Sequence, residues 1–349
     1  MSLFGRLYRG ETSYDFVGAR RRFLVISSVL LVASLLSLAI RHVNLSLDFR
    51  GGVAVETQNP AGAGVGDVRA ALAPLGLSNA RIQLLADGDE LRVQTEALDA
   101  DRADELVRAV AQVAGTSVTE TSVDEVGPTF GAQIAERALL ALVVFLGAVV
   151  LFMTWRLEWK MALSGITALF HDLIITFGVY SITGFEVTPA TVIAILTILG
   201  YSLYDTVVVF DKVKENMEAS DRGTFTDLVN KSMNQVLMRS VNTSLTSLLP
   251  VGSLLLVGSF LLGARTLLDF ALALFVGIAA GTYSSIAVAS PLLAVWKEGE
   301  EEWTRIRRRL DRVSGEAALP SGRVTPTLEN ARPRPATGAT PRPPKKRRR

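Results

Sequence analysis

Six runs of about 18 or more mainly apolar residues divide this chain, and each is long enough to cross a hydrocarbon core of roughly 30 Å at 1.5 Å per residue. They occupy residues 23–40, 138–155, 161–182, 189–210, 241–262 and 267–295. Inside a bilayer every backbone amide and carbonyl needs an internal partner, so runs of this kind are helices. The fold class that follows is a polytopic α-helical membrane protein with six transmembrane helices. With 49% hydrophobic residues, the composition excludes general disorder and an ordinary soluble enzyme. The first run follows Arg20, Arg21 and Arg22, as a signal peptide would. It is too long for a signal-peptide core and lacks a small-residue cleavage pattern, so it reads as an uncleaved span. In the sixth run, Pro291 and Trp296 fall where a helix end meets headgroups.

Basic residues set the orientation. Arg6, Arg9 and Arg20–Arg22 precede the first run; Arg156 and Lys160 join the second to the third. Lys212, Lys214, Arg222, Lys231 and Arg239 lie between the fourth and fifth; Lys297, Arg305 and Arg307–Arg309 follow the sixth. With six spans these segments share one side. The connections opposite, 183–188 and 263–266, carry only Arg265. The positive-inside rule then expects a multi-pass protein of the cytoplasmic membrane with both termini in the cytoplasm. The expected organisation is a cytoplasmic N-terminus over 1–22, a first span over 23–40, an external domain over 41–137, and five further spans over 138–295. Within the last, 211–240 is a cytoplasmic segment of helical extensions. Residues 296–349 form a basic tail, Pro- and Arg-rich after Leu310 and expected to be disordered. That tail could solubilise the chain, bind anionic lipid or bind RNA.

The polar block between the first two runs reads as a small α+β domain. Val53–Thr57 alternates as a strand, and Val68, Leu72 and Leu75 space a helical face within 65–75. Strands at Arg81–Leu85 and Glu90–Thr95 flank Asp87-Gly88-Asp89, a hairpin signal. Residues 101–114 form an amphipathic helix with Leu106, Val107, Val110 and Val113 inward, and 117–123 alternates again. The order β-α-β-β-α-β predicts a ferredoxin-like extracytoplasmic domain between helices 1 and 2.

Asp205 stands inside the fourth run. A carboxylate within a span costs roughly 2.5–3.5 kcal/mol and marks a functional site by default. Burial disfavours a charged carboxyl and a nearby cation favours it, so one held between those influences can load and release protons. A fixed interhelical hydrogen bond is the alternative. Tyr201 and Ser202, at i−4 and i−3, place hydroxyls on its flank. Arg239, at the head of the fifth run, is a candidate partner or else an interfacial arginine. The string Asn242, Thr243, Ser244, Thr246, Ser247 that follows can hydrogen-bond between helices. His171-Asp172 in the third run is a second polar or proton-relay element or a satisfied structural pair; the further ligands of a metal hydrolase are missing. Gly277 and Gly281 form a G-x-x-x-G that permits close helix packing. Asp48-Phe49-Arg50-Gly51-Gly52 sits where the first run meets the external domain, and its glycines allow a turn, a close backbone approach or a hinge.

No cofactor is expected. The chain has no cysteine and two histidines, which leaves no thiolate or His-based metal centre. No G-x-x-x-x-G-K-[ST] is present, so no nucleotide is expected to bind, and the chain is not expected to be an enzyme.

Three stretches together resemble the SecF side of the SecD/SecF protein-export family: Asp48–Gly52, His171-Asp172, and the long 200–216 string Gly-Tyr-Ser-Leu-Tyr-Asp-Thr-Val-Val-Val-Phe-Asp-Lys-Val-Lys-Glu-Asn. The resemblance covers about residues 15–300. Lys212, Lys214 and Arg50 depart from the family's usual residues without touching the carboxylate. It implies a fold like the resistance-nodulation-division transporters, completed by a SecD partner. It implies a proton-driven auxiliary to export, acting on translocating polypeptide after the SecYEG channel and SecA ATPase. Asp205 takes the proton-carrying position, and Arg239 the position of a participating arginine. A small-molecule or lipid exporter of the same superfamily is the alternative.

Overall fold

The computed structural model describes residues 14–85, 88–219, 223–261 and 265–318. Among the described residues six helices are long and apolar enough to cross a membrane: Arg20–Arg41, Pro128–Arg156, Trp159–Thr183, Pro189–Ala219, Phe225–Gly258 and Leu267–Glu298, here the first to sixth spans. The chain is thus built as a polytopic helical membrane protein. The third, fourth and sixth spans are the most buried, while the first, second and fifth expose most of their apolar windows. Close approach rests on glycine. A Cβ on Gly277 would lie 2.3 Å from Ile198 Cδ1, and one on Gly281 would lie 2.8 Å from Ser202 Cβ. The sixth span therefore packs directly on the fourth along the G-x-x-x-G face. In the same way Gly178 of the third span admits Ser34 of the first.

Both helical extensions around the 211–234 segment are present. The fourth span continues to Ala219, and the fifth starts at Phe225. Thr224 caps that start, its hydroxyl accepting from the Asp227 amide while Asp227 Oδ2 accepts from the Thr224 amide. The extensions continue because their inward residues are apolar or paired. Val213 and Phe225 are buried, and buried Asn216 donates to Ser232 at 2.8 Å. A core cluster of Met153, Met161, Phe210, Val213, Phe225 and Leu293 binds this end together. Phe16 and Val17 join it. The segment carrying them is fastened by asparagine amides. Asn234 Oδ1 accepts from Tyr14 N and Asn230 Oδ1 from Val17 N, both at 3.0 Å, and Asn230 Nδ2 donates to Asp15 at 2.7 Å.

The block between the first two spans holds a four-stranded antiparallel sheet of β2 (Gly52–Gln58), β3 (Arg81–Leu85), β4 (Glu90–Thr95) and β5 (Ser122–Val126), in spatial order β3-β4-β2-β5. Helices Val65–Leu72 and Ala100–Ala114 complete the order β-α-β-β-α-β. Alternate residues Val53, Val55, Leu91 and Val93 meet Val68, Leu72, Leu106 and Val110 in one core. The strand expected over 117–123 begins instead at Ser122. Ser117 and Glu120 form a capping box that winds 118–120 into a single tight turn. The expected hairpin turn lies partly outside the described residues.

A second, two-stranded parallel pairing joins β1 (Asn44–Leu45) to β6 (Glu186–Val187), tying the exit of the first span to the loop between the third and fourth. Asp48–Gly52 follows as one helical turn, Leu47–Arg50, and the start of β2. Gly51 and Gly52 have φ of 72° and 135°. A Cβ on Gly51 would meet Pro128 Cα at 2.7 Å. Phe49 is buried with Tyr180, Val187 and Ile198, so this junction is closely packed at both ends. Past the sixth span, a helix over Glu301–Ala318 replaces the irregular chain expected from 296. Trp303 packs edge-on against Phe225 at 5.1 Å, and Arg305 pairs with Glu301 one turn away at 2.8 Å. The described residues up to Arg307 form one compact unit, and the end of this helix belongs to another. The Pro- and Arg-rich tail from 319 lies outside the described residues.

Candidate functional site

Two carboxylates lie buried among the third to sixth spans, and hydroxyls hold both. Asp205, on the fourth span, is 7% exposed. Its Oδ1 accepts from Ser240 of the fifth span at 2.7 Å, and its Oδ2 from Ser285 of the sixth at 2.6 Å. Asp172, on the third span, is 1% exposed. Its Oδ2 accepts from Ser202 of the fourth span at 2.7 Å and Ser284 of the sixth at 2.8 Å, while His171 Nδ1 lies 3.2 Å from its Oδ1. The His171 ring stacks on Tyr283 with centroids 6.0 Å apart. Tyr283 in turn donates to the Phe23 carbonyl and lies 3.0 Å from Ser27 of the first span.

The sixth span changes its winding at this level. The α-helix ends at Ser284, and Ser285–Ala289 form a π-helical turn, in which Ser290 Oγ donates to the Ser285 carbonyl at 2.8 Å. Such wide turns recur at functional sites because they re-aim side chains within an otherwise regular helix. Here two adjacent serines serve two different carboxylates.

Several expected neighbours fall elsewhere. Arg239 makes no ion pair with Asp205. Its Nη2 donates to Tyr204 at 2.6 Å, with the guanidinium 5.7 Å from that ring's centroid. The cause is helical phase. Ser240 turns inward to Asp205, so Arg239, about 100° round the helix, points outward to Tyr204, which is 51% exposed. Ser202 does not serve Asp205 either, because Asp172 of the crossing third span captures its hydroxyl. Gly281 of the sixth span makes room for Ser202 itself. Tyr201 Oη is buried without a hydrogen-bond partner, as is His171 Nε2. Sequence reasoning missed Ser240, Ser284 and Ser285. Their signal is weak: a serine pair three residues past the end of the G-x-x-x-G, and one serine at the head of a serine- and threonine-rich string. Among the described residues no group of three or more His, Asp or Glu side chains could hold a metal ion.

Fold and site together define a helical membrane protein whose spans enclose carboxylates held by serine hydroxyls from neighbouring helices. Residues 106–299 match the family model described as "Protein export membrane protein SecD/SecF, C-terminal". The chain is 41% identical over 312 residues to protein translocase subunit SecF of Streptomyces coelicolor, covering 88% of this chain and 83% of that one. It is 42% identical over 316 residues to SecF of Mycobacterium tuberculosis, covering 86% and 71%. Among solved structures it resembles SecDF of Thermus thermophilus, a translocon-associated membrane protein, with a TM-score of 0.74 and 35% identity; the alignment covers 85% of this chain and 40% of that longer one. The chain belongs to the SecD/SecF family, among its SecF subunits.

Proposed function

We propose that this chain is an auxiliary subunit of the Sec protein translocase that acts with a SecD-type partner and draws on the proton-motive force through Asp205. The observation that carries the reading is the donor set of Asp205: two serine hydroxyls and, among the described residues, no cation within ion-pairing distance. A buried ion pair fixes a charge, because removing one partner strands the other. A hydroxyl can donate to a carboxylate and accept from a carboxylic acid, so both protonation states find a partner. Each proton that descends the membrane potential releases about 2.3 kcal/mol per 100 mV.

In this reading both termini lie in the cytoplasm, which the clustering of basic residues on one side supports. The β-α-β-β-α-β domain is ferredoxin-like and lies outside. Its links to the spans run through Gly51–Gly52 and β1–β6, where β3 and β4 meet the loop after the third span. Arg81 and Arg92 lie 4.0 and 3.9 Å from Glu186 there. A SecD-type partner finds support in the Thermus relative, which is named SecDF and of which this chain covers 39%. Exported polypeptide would be handed on from SecYEG and SecA.

Asp205→Asn tests this. The variant is expected to insert normally and to lose potential-dependent export in inverted membrane vesicles. Undiminished export by Asp205→Asn would overturn the proposal.

A further inference from the structure

We propose that Ser284 and Ser285, on the π-helical junction of the sixth span, couple two proton-binding carboxylates, Asp172 and Asp205, so that the charge on one sets the readiness of the other to take a proton. This rests on the reading of Asp205 as proton-binding, and adds a second site and the element that joins them.

Each serine has two acceptors within reach. Ser284 Oγ lies 2.8 Å from Asp172 Oδ2 and 3.2 Å from the Gly281 carbonyl. Ser285 Oγ lies 2.6 Å from Asp205 Oδ2 and 3.1 Å from the Thr282 carbonyl. A hydroxyl carries one proton and donates to one of these at a time. While the carboxylate is charged, the charge-assisted bond is the stronger and holds the proton. When a proton from water neutralises Asp205 at Oδ2, the new acid O–H donates to Ser285 Oγ, and the serine's own proton turns to the Thr282 carbonyl. One proton enters, none leaves, and one hydrogen bond reverses direction. The same reversal is open to Asp172, Ser284 and the Gly281 carbonyl. The two serines are consecutive and share one turn of backbone, so a shift of the sixth span that follows one carboxylate displaces the donor of the other.

On the sixth span the acid Asp269 lies against Tyr180. Among the described residues His171 is the one titratable side chain within hydrogen-bond reach of Asp172, and Tyr283 stacks on it. The fourth span brings Tyr201 and Tyr204, and the fifth brings Arg239, which is engaged outward with Tyr204. The first and second spans carry no charged residue over 23–40 or 138–155. On the third and fourth spans His171 Nε2 and Tyr201 Oη are buried without a hydrogen-bond partner among the described residues. Acids coupled by more than about one pH unit titrate in two steps that belong to the pair rather than to either residue.

The full chain, in lipid vesicles, is titrated by infrared difference spectroscopy of the protonated carboxyl band. Asp205→Asn and Asp172→Asn are expected each to remove one transition and to displace the other by about one pH unit. Ser285→Ala, which removes no contact of Asp172, is expected to displace the Asp172 transition, and Ser285→Thr to restore it. A purely structural serine would leave that transition in place. Retained helical signal and monodispersity exclude misfolding of any variant. The proposal is overturned if Asp172→Asn removes no transition of the protonated carboxyl band, or if Ser285→Ala leaves the Asp172 transition unmoved, even where Asp205→Asn abolishes export. Coupled transitions alongside normal export by Asp205→Asn would uphold the coupling and remove the export reading instead.

Discussion

Gly277→Ala and Gly200→Ala are the same substitution in two membrane helices, and the structure assigns them opposite signs. Adding a Cβ within a helix gains roughly 0.5–1 kcal/mol, because glycine gives up more backbone freedom than alanine. At Gly200 the new methyl has no atom within 4 Å to meet, so the gain stands alone. At Gly277 it would lie 2.3, 2.5 and 2.7 Å from three carbons of Ile198. Contacts that short force the helices apart, and overpacking of this kind costs about 1–3 kcal/mol. Three clashes with one branched side chain place the cost near the top of that range, leaving a net loss of about 2 kcal/mol. The assay is reversible unfolding in mixed detergent and lipid micelles, with Ile198→Ala added in a double-mutant cycle. Removing the clashing carbons should return part of the loss as a coupling of at least about 0.5 kcal/mol. If Gly277→Ala proved as stable as Gly200→Ala, or Ile198→Ala gave no rescue, the direct packing of the sixth span on the fourth would be refuted.

Other expectations follow from the same geometry. Gly51→Ala combines a φ of 72° with a methyl 2.7 Å from Pro128 Cα; a loss of roughly 1–3 kcal/mol is expected and is read as a lowered aggregation temperature. Glu186→Gln weakens the pairs with Arg81 and Arg92, whose side chains are 40% and 28% exposed. After allowance for solvent screening, about 1 kcal/mol is expected, seen as roughly fivefold faster hydrogen exchange in β3 and β4 and reduced by added salt. Asn234→Ala removes the amide that grips Tyr14 through both its N–H and its carbonyl. Limited proteolysis should then cut near Tyr14 first, and unchanged cleavage would contradict the clasp.

Much of the membrane fold was legible because length and apolarity alone decide it. Over the described residues all six runs are helical, and the fourth is extended because its polar continuation still has an inward side. The fourth run loses its apolar pattern at 210, yet Val213 and Asn216 are buried on one face and the helix reaches Ala219. The small domain's strands 81–85 and 90–95 were marked by their flanking turn residues. The final strand slipped because Ser117 and Glu120 wind a turn that alternation cannot reveal. Asp205 announced itself as a lone acid in an apolar run. Its partners did not, because serines occur throughout these helices and only the crossing of helices decides which hydroxyl meets which acid. Arg239 was the natural electrostatic choice, and it missed by a single residue of phase, which in a helix turns a side chain from the interior to the outside.

The clasp of Tyr14 and Val17 by Asn234 and Asn230 has a consequence for how the molecule is made. Those partners are separated by 220 and 213 positions. At about 5–20 residues per second, the segment leaves the ribosome roughly 10–45 s before the asparagines that receive it are synthesised. It must wait, unfastened, while four helices are laid into the bilayer and the fifth begins. Its seating is therefore a late stitch in biogenesis, and a label on Tyr14 would report when assembly of the bundle is complete.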